Sequence, residues 1–158
     1  MKLSIVIPAY NEERYIVECL TSIVEVAKQA RIRETEIIVV NNNSADRTKE
    51  RALSVPGIKV VDEKHKGANY ARQRGLKETS GERVAFFDAD VRLPKDWFTK
   101  MENAFSANPH LICLSGPYRY YDASLPYRVA FHLLWWISAP LSYRIAGYMI
   151  LGGNFVVK

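Results

Sequence analysis

Two cysteines in 158 residues cannot build a disulfide framework. Cys19 and Cys113 each stand inside an apolar pattern and read as reduced core residues of a cytosolic protein. Glycine is sparse as well, with eight residues. No G-x-G-x-x-G follows the first apolar run and no G-x-x-x-x-G-K-[ST] occurs anywhere, which disfavours a dinucleotide or P-loop phosphate cradle. The start, MKLSIVIPAYNEE, is too short in its apolar run for a signal peptide and breaks at Pro8 and Asn11. The one long apolar stretch, residues 129–151, is interrupted by His132, Pro140 and Arg144, so a pair of apolar surface helices is expected there rather than a membrane span. Acids also run out: after Glu102 the only one is Asp122, against Arg119, Arg128, Arg144 and Lys158. The C-terminal third is therefore basic, aromatic and apolar. That suits an anionic amphiphile or peripheral membrane contact, or else a buried helical hairpin with a few solvated arginines.

What is present fits one globular domain, 48% apolar and 25% charged, long enough for a full core. The net charge of +5 fits anionic partners such as phosphates, and no nucleic acid partner is expected. LSIVIPA reads as a buried strand stopping at Pro8. A helix follows with Tyr15, Ile16, Cys19, Leu20, Ile23, Val24 and Ala27 on one face and Asn11 as its N-cap. EIIVV (36–40) is a second strand, running into a loop and helix at NNNSADRTKERAL, and IKVVD (58–62) is a third after the Pro56-Gly57 turn. KGANYARQRGLKETSGE predicts a helix with Ala68, Ala71 and Gly75 on one side, ending near Gly81. VAFFD is the next strand, LPKDWFTKMENAFSANP a helix with Pro94 near its first turn, and LICLSG another strand. The strands are apolar throughout rather than alternating. The fold class expected is α/β, a mostly parallel sheet with helices on both faces.

Ligands of such sheets bind at the carboxyl ends of the strands. Those ends carry Pro8-Ala9-Tyr10-Asn11, Asn41-Asn42-Asn43-Ser44 and Asp88-Ala89-Asp90, three polar clusters on one rim. On an extended chain Asp88 and Asp90 point the same way, and two carboxylates so close repel unless a cation or donors sit between them. Hard oxygen ligands point to a divalent metal, Mg²⁺ or Mn²⁺, completed by water and phosphate oxygens; a turn-capping Asp88 and a solvated Asp90 are the plainer alternative. Tyr10 can stack on a nucleobase and Asn42 or a neighbour can bond a base edge, although the asparagines also suit turns and helix caps. Of Lys66, Arg72 and Arg74, one or two can neutralise a diphosphate; each can equally belong to a solvated helix face.

SIVIPAYNEE, EIIVVNNNSADRT, KGANYARQRG and VAFFDAD, in that order, resemble successive motifs of the family 2 glycosyltransferases, and SGPYRYYD and GGNFVVK resemble later segments of a bacterial branch. The resemblance covers essentially the whole chain. It implies the Rossmann-like nucleotide-diphospho-sugar transferase (GT-A) fold, incomplete at the C-terminus, with residues 1–116 as the nucleotide-sugar-binding half and 117–158 as the start of the acceptor half. It implies inverting transfer from a nucleoside diphosphate sugar to an acceptor hydroxyl on a glycan or lipid-linked sugar, as in cell-envelope synthesis, in the cytoplasm or at the inner face of the membrane. By position, Pro8, Tyr10 and Glu12 would line the nucleotide pocket, with Asn42 where the family often has an aspartate reading the base. Asp88 would face ribose and metal, Asp90 would be the direct metal ligand, and Gly152, Gly153 and Asn154 would border the acceptor.

Two departures stand out. NNN replaces a more usual acidic pair, which removes a reason to expect uridine over other bases. The family's general base is an acid after the GGNF segment, and none follows here, so the base is expected beyond Lys158 and the chain reads as truncated. The rival readings are a nucleotide-sugar-binding fragment without catalysis and a nucleotidyltransferase; the latter usually opens on a glycine- and basic-rich loop, which SIVIPAYNEE is not. A haloacid-dehalogenase-type phosphatase would place its aspartate pair near the chain start, whereas two βα units precede Asp88.

Overall fold

The computed structural model describes residues 2–30, 34–116, 124–146 and 153–158. Its elements run β1 (Leu3–Ala9), α1 (Ile16–Gln29), β2 (Thr35–Asn41), α2 (Thr48–Leu53), β3 (Ile58–Asp62), α3 (Ala68–Leu76), β4 (Arg83–Phe87), α4 (Trp97–Ala107), β5 (Cys113–Ser115), α5 (Leu125–Ala146) and β6 (Asn154–Val157). One sheet has the order β3-β2-β1-β4-β6-β5. The first four strands pair in parallel, and β6 runs antiparallel to both β4 and β5. This is the mostly parallel α/β sheet that the apolar strand runs predicted.

β1 is the central strand of the parallel part, and its side chains divide the core. Leu3, Ile5 and Ile7 point into a cluster with Ile16, Leu20 and Ile23 of α1, Ala52 of α2, and Phe98, Met101 and Phe105 of α4. Val6 points the other way, with Ile38, Val40, Val84 and Phe86, against Ala71 of α3. Three helices thus cover one face, whereas α3 stands over the other. Beside α3 a cavity of about 540 Å³ lies over β4 and β6, floored by Phe86 and Phe155, whose rings stack at 4.7 Å.

The small residues of α3 explain how near it comes to the sheet. A Cβ on Gly75 would stand 2.3 Å from Val6 Cγ1 and 3.1 Å from Val40 Cγ2. Ala71, one turn earlier, is fully buried, while Ala68 faces solvent.

Several boundaries differ from expectation for identifiable reasons. β1 continues through Pro8 to Ala9. The Asn42 N–H donates to the Ala9 carbonyl at 2.8 Å, which turns the backbone of Ala9 toward β2 and that of Pro8 toward β4. Pairing with β4 ends at Val6, so the missing N–H of Pro8 breaks no ladder bond. Asn11 is not the cap of α1; it lies at φ 56° and the helix begins at Ile16, with Tyr15 preceding it. α3 ends at Leu76, short of Gly81, and α4 begins at Trp97, whose N–H bonds the Pro94 carbonyl at 3.0 Å. In place of two helices across residues 129–151 there is one, α5, which runs through Pro140. Loss of a single backbone donor does not divide a helix flanked on both sides by long apolar side chains; residues 147–151 lie outside the described ones. Leu133, Leu134, Trp136 and Ile137 of α5 are exposed. Among the described residues no helix is long and apolar enough to cross a membrane. Both cysteines are free, Cys19 buried and Cys113 half-buried.

The close approach of α3 yields a test. Gly75→Ala should lower unfolding stability by about 1–3 kcal/mol through overpacking, read as a drop in the denaturant midpoint, whereas Leu76→Ala at an exposed position should change it little.

Candidate functional site

The parallel register brings the carboxyl ends of β1, β2 and β4 to one edge, and the loops leaving β1 and β2 are stitched together there. The Asn11 N–H donates to Ser44 Oγ at 3.1 Å, and Asn11 Oδ1 accepts the Ala45 N–H at 2.8 Å. The Glu12 N–H donates to Thr48 Oγ1 at 2.8 Å, the Glu13 N–H to Asp46 Oδ2 at 3.1 Å, and Glu13 Oε2 accepts the Arg47 N–H at 3.0 Å. Thr48 is fully buried and its hydroxyl bonds Asp46. Burial pushes the Asp46 carboxyl up, but the hydrogen bonds from Thr48 and Glu13 outweigh it and hold the group below its usual range. Asn11 keeps a left-handed conformation that few residues adopt because its short amide is bonded across the two loops.

Asn42 is buried, and its amide is occupied by the loop after β3. Nδ2 donates to the His65 carbonyl at 2.6 Å and the Glu63 carbonyl at 3.2 Å, while Oδ1 accepts the Gly67 N–H at 2.8 Å. This loop carries Lys66, whose Nζ stands 5.6 Å from the centre of the Tyr10 ring. Tyr10 is 48% exposed, leaving an aromatic face for a ligand. His65 and Tyr70 extend the aromatic edge, their rings 5.5 Å apart.

The acidic pair sits on a turn and not on an extended strand. β4 ends at Phe87, and the Val91 N–H returns to the Asp88 carbonyl at 3.4 Å, a reversal that buries Ala89 and leaves Asp90 exposed. The strand alternation expected for the two carboxylates is thus replaced by turn geometry. Arg72, in the middle of α3, reaches over β4, with its NH2 nitrogen 3.3 Å from Asp88 Oδ1. Its Nε is buried without a hydrogen-bond partner. The Asp88 N–H donates to the Gly153 carbonyl at 3.2 Å, and Phe87 pairs with Asn154, so the start of β6 borders the acidic turn.

Glu12 lies close enough to feel the pair. Burial pushes its carboxyl pKa up, and the negative charges of Asp90, Asp46 and Asp88 push it the same way. Below them the Cys19 thiol is pushed up to about 12, by burial first and then by the same carboxylates, so it remains neutral. Among the described residues no three metal-ligating side chains converge. Two carboxylates on one turn are the donor chemistry of a hard divalent ion that draws its other ligands from water and phosphate oxygens.

Of the residues singled out from sequence, Tyr10 and Lys66 come together, as do Glu12, Asp88 and Asp90, and Arg72 with Asp88. Pro8 is half-buried in β1, and Gly153 and Asn154 adjoin the acidic turn. Arg74 turns away to Glu78, at 2.5 Å. Gly152 and Asp122 lie outside the described residues. The sequence reading passed over Asp46 and Thr48, which fasten the β1 and β2 loops, and Gly67, at φ 134° at the start of α3. Alternating Ser44, Asp46 and Thr48, and a lone glycine just before a helix, were the available signals.

The mixed six-stranded sheet flanked by helices fits the α/β nucleotide-sugar transferase fold of the GT-A type. A family model described as "Glycosyl transferase family 2" matches residues 4–155, and the chain belongs to that family. A dolichol-phosphate mannosyltransferase of Pyrococcus furiosus is 38% identical over 108 residues, covering 66% of this chain and 30% of that protein. Glycosyltransferase GlyA of Streptococcus pneumoniae is 32% identical over 100 residues, covering 61% of this chain and 14% of that protein. The chain therefore spans less than a third of either relative. Among solved structures, glucosyl-3-phosphoglycerate synthase of Mycobacterium tuberculosis superposes with a TM-score of 0.71 at 23% identity, covering 99% of this chain and 57% of that one. The same enzyme in complex with Mn²⁺, uridine diphosphate and phosphoglyceric acid gives a TM-score of 0.69 at 22% identity, covering 99% and 55%.

The raised Glu12 carboxyl makes the metal reading testable by pH. Its folded pKa lies above the unfolded value, so this group lowers stability as pH rises from the unfolded carboxyl range through the folded pKa; below that range the penalty is absent. A cation at Asp88 and Asp90 offsets the repulsion, so Mg²⁺ should move the Glu12 pKa downward in a carbon-detected NMR titration. An unchanged Glu12 midpoint at saturating Mg²⁺ would contradict a cation at the acidic turn.

Proposed function

We propose that this chain is the nucleotide-sugar-binding half of a glycosyltransferase domain, together with the start of its acceptor half from residue 117. The observation that carries this is the gathering at one sheet edge of an exposed Tyr10 beside Lys66 and an acidic turn held by Arg72. In this reading the base stacks on Tyr10, and Lys66 and Arg72 meet the diphosphate. Asp90, helped by Asp88, holds Mg²⁺ or Mn²⁺ against it. When bound, the metal supplies charge to offset what develops on the leaving diphosphate. The solved relatives described with Mn²⁺ and uridine diphosphate favour this donor class.

Transfer then proceeds with inversion to an acceptor hydroxyl that approaches from the Gly153 and Asn154 side. An inverting displacement needs a general base. Asp96, just before α4, pairs with Lys100 at 2.6 Å, and Glu102 of α4 pairs with Arg83 at 3.3 Å, which engages both acids in ion pairs. Neither of these two acids is assigned as the base.

Titration of UDP, GDP, ADP and CDP with and without Mn²⁺ tests the donor site. Binding should require the metal and weaken about tenfold or more in both Tyr10→Ala and Asp90→Ala. Binding that ignores metal, or that Tyr10→Ala abolishes while Asp90→Ala leaves it untouched, would contradict the site.

The surface of α5 supports a reading of the acceptor class. It is apolar on all sides, carries Arg128 and Arg144 with no acid, and presents exposed Leu133, Trp136 and Ile137. We assign it to peripheral contact with an anionic membrane face, which suits a lipid-linked acceptor in envelope synthesis. The chain should sediment with phosphatidylglycerol vesicles, less at high salt, and Ile137→Glu should weaken this roughly tenfold. Equal sedimentation with neutral vesicles, or none with either, would contradict the assignment.

A further inference from the structure

Asn42 was expected from the sequence to bond a base edge, yet its surroundings give it different work. It is 4% exposed, and both of its amide protons are committed, to the His65 carbonyl at 2.6 Å and the Glu63 carbonyl at 3.2 Å. Its Oδ1 holds the Gly67 N–H at 2.8 Å. The orientation of the amide is fixed by this network, because exchanging Oδ1 and Nδ2 would set an oxygen against two carbonyls and a donor against an N–H. Its own backbone N–H is bonded to the Ala9 carbonyl at 2.8 Å, so the residue ties the end of β1 to the loop after β3.

What that loop carries gives the bonds their consequence. The Glu63 N–H bonds the Asn41 carbonyl at 3.0 Å and the His65 N–H bonds Glu63 Oε1 at 2.7 Å, so the loop is folded tightly on the β2 end. Lys66 follows, beside Tyr10. The Gly67 carbonyl then accepts the Ala71 N–H at 3.1 Å in the first turn of α3, and Arg72 comes next, reaching Asp88. One buried amide thus sits upstream of both cationic groups of the candidate donor site.

We propose that Asn42 is a positioning residue: it fixes the loop 63–67 and the start of α3, and thereby sets Lys66 at Tyr10 and Arg72 at Asp88, without itself reading the base. The inference rests on the reading of this edge as a nucleotide site. An amide suits this position, since a carboxylate cannot donate to two carbonyls.

Asn42→Asp tests it, since the substitution keeps the shape and the acceptor but replaces the two donated bonds with repulsion. Amide hydrogen exchange at residues 63–67 should accelerate at least tenfold, and UDP, GDP, ADP and CDP, measured with Mn²⁺, should all weaken by a similar factor of about ten. Gly67→Ala serves as a second variant. At φ 134° any side chain is strained, and the loop would be disturbed from its other end with no change at Asn42. It should give the same uniform weakening. A change in the rank order of the four bases in Asn42→Asp, or unchanged exchange in the loop, would overturn the proposal. If the unmodified chain binds none of the four, the donor reading fails by itself, and the exchange measurement still decides whether Asn42 holds the loop.

Discussion

The in-register parallel pairing of β1 between β2 and β4 is the constraint on which everything else hangs. Leu3 stands opposite both Thr35 and Arg83, so the three strands start level and deliver their carboxyl ends to one edge. The pairing is held by burial: Leu3 through Ile7 are shielded from solvent on both faces, and a slip of one residue would move Leu3, Ile5 and Ile7 to the face that Val6 occupies. At the opposite edge Ser4, fully buried, bonds Glu36 at 2.5 Å and accepts the Gly81 N–H at 2.8 Å, which pins the amino ends of the same strands. With both edges fixed, the loops at the carboxyl edge become the place where chemistry varies.

That edge gathers charge of both signs. Burial raises the Glu12 carboxyl first and the charges of Asp90, Asp46 and Asp88 raise it further, while Arg72 pairs with Asp88 and its Nε is buried without a hydrogen bond. Lys66 faces an aromatic ring rather than an acid. In the reading proposed above, a diphosphate would meet Lys66 and Arg72 and a divalent ion would meet the acidic turn. The hydrogen bonds of Asn42, Thr48 and Asp46 make the loops that carry these groups definite in shape.

Much of this was legible because parallel strands buried on two faces read as unbroken apolar runs. IVI, EIIVV and VAFF announced the sheet, and the polar residues just beyond each run announced the rim. The remainder depended on information that local pattern does not carry. Asn42 bonds residues 21 to 25 positions away, and no periodicity foretells which of three successive asparagines will hold that loop. The acids of the D-x-D motif were expected to converge by strand alternation, but the strand ends one residue earlier and a turn sets them instead. NFVV is short, and its antiparallel insertion between β4 and β5 is a tertiary choice. Pro140 marked a helix end by propensity, yet α5 passes through it.

The most direct test of the account is paramagnetic broadening by Mn²⁺ in the presence of a nucleoside diphosphate. The account predicts loss of amide signals around Glu12, residues 88–91 and Gly153, with α4 beyond Met101 and the carboxyl end of α2 left sharp, and stronger broadening with the nucleotide than without it. Broadening centred elsewhere, or the same with and without nucleotide, would contradict a metal–diphosphate site at the acidic turn.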